Sequence, residues 1–405
     1  MKIAIIGGGA SGLMAAIAAK TDNTFVTVYE KEKRVGRKIL ATGNGRCNLT
    51  NTGADLKDYH SGNINFIKGA KTRFWVDETL SLFEELGLVC KEEQDGKVYP
   101  YSDTASSVLD ILRRRVDAVG VQTVCDFAVS KIEKTDSGFK IISKTGQTSL
   151  YDRVIIATGG MAGATLGSDG SGYALLKSFG HRITPLTPSL VQIKTETETV
   201  RKLKGIKVQA RVTIGSHSRD GELLFTDYGI SGPPVFSLSS YLDGCDDVVI
   251  DMMPEYSYDD IYNMLCMRCA SFYDATLEDF FTGMLNKRVG MALLKHSGVM
   301  PLSRLVATLT DKEIKTVAHS IKGMRLKITG TASWNSAQVT KGGADVNEFD
   351  PVTMMSKRVF GLYACGEVLD VDGDCGGYNL QWAWSSGYIA GKNAAGGGKN
   401  NEKTC

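Results

Sequence analysis

The sequence predicts an α/β protein built on a parallel sheet and interrupted first by a β-rich and then by a helical insertion. Lys2–Ile6 is a short apolar run that passes through Gly7-Gly8-Gly9-Ala10-Ser11-Gly12 into the helical pattern Leu13–Lys20 and returns as a second apolar run, Phe25–Glu30. Two further strand-like runs stand far along the chain, Tyr151–Thr158 and Val359–Ala364, and both lead into glycines. Between them, from about Leu190 to Met253, short strands such as Gln209–Ile214 and Val248–Asp251 alternate with Gly, Ser and Asp turns. From about Ser257 to Ile321 the apolar spacing becomes helical: Ile261, Leu265 and Cys269, then Leu277, Phe280, Phe281 and Leu285, then Met291–His296. Strand-like Arg325–Thr329 and Ala337–Thr340 return the chain to the sheet.

The opening glycines each have a mechanical task. Gly7 permits the tight turn, Gly9 lets the backbone approach a pyrophosphate, and Gly12 lets helix and strand pack closely, while the helix start, Ala10 and Ser11 included, offers N–H donors to an anion. Glu30 ends the second strand, where a carboxylate reaches the ribose hydroxyls of an adenosine and disfavours a 2'-phosphate. Strand, glycines, helix, strand and acid in this order make a dinucleotide site, without separating NAD from FAD. The basic run from Lys31 to Ile39, with Arg37 and Lys38, suits the phosphates of a cofactor lying extended across the domain.

At the far strands, Thr158-Gly159-Gly160 and Gly366-Glu367 are small or polar ends open to close cofactor approach. Gly376-Gly377-Tyr378-Asn379 then leads into a helix from Leu380 to about Ala390. A helix start aimed at a flavin pyrimidine stabilises the negative charge that gathers there on reduction. This layout brackets FAD.

With 405 residues, two or three domains are expected. A net charge of +2 implies neither a polyanion nor a membrane partner, so no nucleic acid is expected. No leader pattern and no stretch near the ~20 apolar residues of a membrane span are seen, and the nine scattered cysteines fit reduced thiols; a soluble, cytoplasmic protein is expected. His60, His181, His217, His296 and His319 make no metal-binding spacing, and Cys266-Met-Arg-Cys269 lacks a second pair, so no metal is expected. Trp334, Trp382 and Trp384 suit either an apolar substrate cavity or, more often, a core. A polar tail runs from Gly396 to Cys405.

Three longer phrases carry a resemblance: Val35 to Asn51 (VGRKILATGNGRCNLTN), Phe225 to Pro233 (FTDYGISGP) and Gly366 to Trp384 (GEVLDVDGDCGGYNLQWAW). Together they resemble the BaiN/YhiN-like NAD(P)/FAD-dependent oxidoreductases of the two-dinucleotide-binding flavoprotein superfamily. The resemblance implies a Rossmann-type FAD-binding domain of the glutathione reductase kind, with an inserted β-barrel-like domain and a small helical domain. In this sequence the FAD domain falls to 1–189 and 331–405, the β-rich substrate domain to 190–256 and 322–330, and the helical insert to 257–321. It places Asn44, Arg46, Cys47 and Asn48 and the turn Gly376–Asn379 around the flavin ring, with Thr340-Lys341-Gly342-Gly343 approaching it; Val129 and Leu380 complete the cofactor candidates. Lys341, Tyr378 and Cys47 are the candidates for chemistry, each with a plain alternative as a surface lysine, packed tyrosine or buried thiol. Relatives often carry His at the position of Asp227, which puts an acid role for that loop in doubt; a turn cap is the simpler reading.

The expected activity is hydride transfer through flavin N5, with NAD(P)H as a transient donor and the conjugated C=C bond of an enone or steroid- or bile-acid-like small molecule as acceptor. The alternatives are an oxidase of small amines of the aminoacetone type using O2, slightly favoured by the lack of a second GxGxxG domain, and an RNA-modifying or regulatory flavoprotein.

Overall fold

The structure, a computed structural model, describes residues 1–242 and 244–396; the tail beyond Gly396 lies outside them. The chain divides into two compact units, one of Met1–Pro188 with Ala337 onward and one of Ser189–Ser336.

The first unit is organised by a five-stranded sheet in the order Leu362–Ala364, Arg153–Ile156, Lys2–Ile6, Phe25–Tyr29, Gln122–Val124. Every neighbouring pair is parallel, with Ile5 opposite Ile155 on one side and Val28 on the other. Ile3, Ile5, Val26, Val28, Val154, Ile155 and Leu362 are all fully buried, as expected of strands covered on both faces. Because the strands run in one direction, the residues that leave their carboxyl ends gather at one edge: Gly7, Glu30, Ala157 and Cys365. That edge is where ligands of open α/β sheets bind.

Two helices cross this sheet. Ala10–Ala19 follows the glycine loop, and Tyr378–Ala395 lies against it at a distance only glycines allow. A Cβ on Gly387 would stand 2.4 Å from the Ser11 carbonyl oxygen, and one on Gly391 would stand 2.2 Å from that of Ala15. The predicted helix Leu380–Ala390 is thus longer at both ends, and Trp382 and Trp384 are core residues, almost wholly buried. Trp382 Nε1 donates to Gly366 O at 3.2 Å and Trp384 Nε1 to Leu49 O at 2.9 Å, so both indoles are satisfied internally.

A polar knot holds the segment 345–358 to residues 181–182. The His181 side chain is buried against Phe349, with its Nδ1 2.8 Å from Glu348 Oε2 and its Nε2 2.9 Å from Ser356 Oγ. Burial lowers the His181 pKa, so the ring is neutral, donating from Nδ1 and accepting the Ser356 hydroxyl proton at Nε2. Burial opposes ionisation of Glu348, but Arg358, the Arg182 amide and His181 outweigh it and hold the carboxyl at about 2. A depressed acid stabilises the fold above its unfolded pKa near 4.5 and loses that contribution as pH falls toward 2, and the buried neutral His181 loses its own as pH falls below its ordinary value of 6.5. Both signs agree, so the contribution of this knot to stability falls as pH falls. Glu348→Gln should remove about 1–2 kcal/mol at neutral pH and flatten the fall of melting temperature with acid; equal slopes for both proteins in melts between pH ~6 and ~3 would refute it.

The second unit is a closed barrel of six antiparallel strands: Ile193–Thr195, Lys207–Ile214, His217–Phe225, Gly229–Ser231, Asp247–Asp251 and Met324–Thr331. Ile193–Thr195 pairs with both Gly229–Ser231 and Met324–Thr331 and so closes it. The helices Tyr258–Ser271, Lys287–His296 and Asp311–Lys322 share one core with the barrel, where Val212, Phe225 and Ile250 join Leu265, Leu293 and Ile321. The stretch Leu277–Leu285, whose spacing suggests a helix, is instead a series of turns. Its Leu277, Phe280 and Phe281 are buried, which produces helix-like apolar spacing without a helix. Cys266 and Cys269 are half-buried on one helix, and among the described residues no group of three or more His, Cys, Asp or Glu side chains is placed to hold a metal ion. Asp227 accepts from Lys204 Nζ at 2.7 Å in the turn between two barrel strands.

Candidate flavin site

The glycine loop leaves a place for a phosphate. Gly7 takes φ +107°, and a Cβ there would lie 2.4 Å from the Ala157 carbonyl oxygen; a Cβ on Gly12 would lie 1.9 Å from Gly7 O. A Cβ on Gly9 would meet nothing within 4 Å, so the side of Gly9 faces open space. The helix it caps has no side-chain cap and no acid in its first turn, which leaves the amides of Ala10, Ser11 and Gly12 and the positive helix end for an anion. Glu30 is fixed beside it, accepting from Gly8 N at 2.8 Å and from Glu32 N at 2.9 Å. Phe127 N donates to Glu30 O at 2.9 Å and Asp126 N to Glu32 O at 3.1 Å, which brings the chain leading to Val129 alongside Glu30.

Three residues of the basic run are engaged with acids. Lys31 pairs with Asp169 at 2.6 Å, Arg37 with Glu32, and Lys38 with Glu367 at 2.6 Å. Lys38 thereby ties the segment after the second strand to the Gly366-Glu367 turn. Arg46 is drawn elsewhere, to Glu93 and Asp103 at 2.5 Å each and over the Tyr99 ring at 4.1 Å. Asn44 is exposed in a left-handed conformation, φ +55°. Cys47 is fully buried, and burial pushes its thiol up to about 12, so the thiol is neutral at physiological pH.

Across the edge, Gly160 approaches so closely that a Cβ would stand 2.3 Å from Thr340 Oγ1 and 2.9 Å from Glu367 Oε1. Thr340 Oγ1 accepts from Met161 N at 2.8 Å and Ala162 N at 3.0 Å, and Thr340 N donates to Glu367 Oε1 at 2.9 Å. Thr158-Gly159-Gly160, Thr340-Lys341 and Gly366-Glu367 are thus one connected rim. A Cβ on Gly366 would sit 2.4 Å from Ser11 Oγ, which joins this rim to the phosphate loop. Gly376 and Gly377 open the long helix with positive φ and no side-chain cap. Asn379 is occupied in clamping Gly373, accepting from its N at 2.8 Å and donating to its O at 2.7 Å, and Leu380 is half-buried in packing. Tyr378 is half-buried with its ring 6.0 Å from that of Tyr59, and burial pushes its phenol up to about 12, so it stays a neutral donor.

The fit to a long polar cofactor rests on atoms that lack partners. Asn48 Oδ1, Tyr173 OH and Asp372 Oδ2 are buried without a hydrogen bond, a costly state unless something else supplies one. Asn48 Oδ1 stands 2.9 Å from where a Cβ on Gly377 would lie, Tyr173 feels the charges of Glu367 and Asp370, and Asp372 those of His60 and Lys341. Together with two uncapped helix starts, these residues fit FAD. Asp372 and His60 were not among the sequence candidates; the alternation Asp370-Val-Asp-Gly-Asp374 was the available signal.

The profile of the HI0933-like protein Rossmann domain matches residues 1–393. A 3-dehydro-bile acid delta(4,6)-reductase of Clostridium scindens is 39% identical over 97% of this chain and 99% of its own. A ribosomal RNA dihydrouridine synthase of Haemophilus influenzae is 32% identical over 95% of this chain and 96% of its own. Among solved structures, the 3-ketosteroid-delta4-(5alpha)-dehydrogenase of Rhodococcus jostii aligns with a TM-score of 0.51 at 14% identity, over 97% of this chain and 96% of that one, a likeness of fold. Among the described residues no helix is long and apolar enough to cross a membrane.

Proposed function

Because this chain belongs to the HI0933-like protein Rossmann domain family and is an FAD-dependent oxidoreductase, we propose that it takes electrons from NAD(P)H and reduces a C=C bond conjugated to a carbonyl in a steroid- or bile-acid-like small molecule. The observation that carries this reading is the 39% identity, nearly end to end, with a reductase named for bile-acid double bonds. The second relative points the same way in chemistry: dihydrouridine is uridine with hydrogen added across a C=C bond conjugated to a carbonyl. The reaction class is thus common to both names, and the substrate distinguishes them. RNA uridine is the second reading.

Bound FAD supplies hydride at N5. This chain's own residues do the rest. The amides of Ala10, Ser11 and Gly12 hold the pyrophosphate, Glu30 the adenosine ribose, and the start of the helix at Tyr378 favours negative charge on the ring. Lys341 would hold negative charge on the reduced ring, and Tyr378 would orient the substrate carbonyl.

The test is anaerobic stopped-flow absorbance at the ~450 nm flavin band with NADH, then NADPH, then a 3-keto-4-ene steroid. Bleaching by a nicotinamide and reoxidation by the steroid are expected. Reoxidation by a ribosomal RNA fragment alone would move the substrate to RNA. Bleaching only by aminoacetone, with hydrogen peroxide formed in air, would replace reductase with oxidase.

A further inference from the structure

Two short strands, Tyr59–His60 and Asp372–Gly373, pair antiparallel and set Asp372 directly opposite His60. Opposed residues in such a ladder present their side chains on the same face with Cβ atoms roughly 4.5–5.5 Å apart. Two residues on, Asp374 Oδ1 meets His60 Nε2 at 2.8 Å. The three groups form a gradient of access to water: His60 is 23% exposed and Asp374 13%, whereas Asp372 is 1% exposed and its Oδ2 has no hydrogen-bond partner. The surroundings are those of the candidate flavin ring. Tyr378 packs against Gly373, where a Cβ would fall 2.7 Å from Tyr378 Cβ, and Lys341 on the strand Val339–Lys341 acts on both Asp372 and His60.

We propose that Asp372 holds a proton for the reaction at neutral pH and that His60, fixed by Asp374, passes protons to it from water. The idea rests on the C=C reduction proposed above. The hydride for one carbon of the double bond would come from bound reduced FAD, and the adjacent carbon takes the proton of the Asp372 carboxyl, so the substrate gains two electrons and two hydrogens. Asp372, left as carboxylate, takes the proton of the His60 imidazolium, and the neutral imidazole takes one from water.

The charges facing Asp372 agree with this task. Burial pushes its carboxyl up to about 7, while His60 and Lys341 pull it down and Asp370 and Asp374 push it up. The hydrogen bond to Asp374 raises His60 above its ordinary value, against burial and Lys341. Asp372 therefore titrates near neutrality, where a general acid works best, and His60 holds its proton to higher pH than an ordinary imidazole. A structural carboxyl would instead be expected to bond through both oxygens.

The experiment is infrared difference spectroscopy of the FAD-loaded, substrate-free protein across pH ~5 to ~9, with single-turnover reduction of a 3-keto-4-ene steroid alongside. A protonated-carboxyl band that titrates near neutrality should be present in the wild type and absent from Asp372→Asn at equal flavin content. Asp372→Asn should slow the single turnover by roughly 100- to 10,000-fold. His60→Gln, which keeps the carboxyl and removes a cation, should move the titration upward. No titrating band in the wild type, its persistence in Asp372→Asn, or wild-type turnover by that variant overturns the proposal. A wild type that shows the band but ignores the steroid removes the enone reading and upholds the proton-holding carboxyl.

Discussion

Replacing Gly9 by Val should yield a folded, colourless protein. Gly9 has φ −81° and ψ −167°, a conformation open to any L-residue, and a Cβ there touches no protein atom within 4 Å. The fold therefore tolerates the change apart from a poorer helix cap, about 1 kcal/mol. In the proposed site this space is the path of the pyrophosphate, and a branched side chain in it should weaken flavin binding by at least ~100-fold, about 2.7 kcal/mol. Gly12→Val makes the contrast, since its Cβ would stand 1.9 Å from Gly7 O and the loop itself must break. Flavin titration with circular dichroism separates the two: Gly9→Val keeps the spectrum and loses the flavin, Gly12→Val loses both. Wild-type flavin content in Gly9→Val would move the phosphate site elsewhere.

The second large effect is expected at Gly391. Any Cβ there would stand 2.2 Å from the Ala15 carbonyl oxygen, and the obstacle is helical backbone rather than a side chain that can turn aside. Gly391→Ala sets a gain of roughly 1 kcal/mol in helix propensity against that clash, and the clash should win. Gly391→Val has no such offset. It should cost about 3 kcal/mol and lower the melting temperature by ~6–12 °C, and because the displaced helix begins at Tyr378, flavin affinity should fall with it. Unchanged melting would mean that the two helices separate without penalty.

The parallel sheet and the glycine loop were legible because their signal is local: apolar run, Gly7 to Gly12, helix and acid follow one another within thirty residues, and each residue type has one mechanical reason to be there. The same locality misled at Leu277–Leu285, where burial of Phe280 and Phe281 imitates helical spacing. The resemblance places Arg46 near the flavin ring, and the sequence gives no sign that Glu93 and Asp103, far along the chain, pair with it. For Cys47 the sequence leaves a ring-lining role and a buried thiol both open, and the structure shows the burial. Asp372 is the opposite case. Its significance depends on His60 standing opposite it in a two-residue ladder, a pairing too short to have a periodicity of its own.

The close seat of Tyr378–Ala395 against Ala10–Ala19 also bears on how the protein is made. A ribosome delivers the glycine-loop helix early and its partner only after the whole barrel unit has emerged. At ~5–20 residues per second, the faces of Ser11 and Ala15 wait many seconds for Gly387 and Gly391, whereas the barrel and its helices, continuous in the chain, can fold during that wait. If the flavin site uses the start of the late helix, as proposed, the cofactor is acquired only at the end of synthesis, and nascent chains halted before Tyr378 should expose an apolar helix face suited to chaperones.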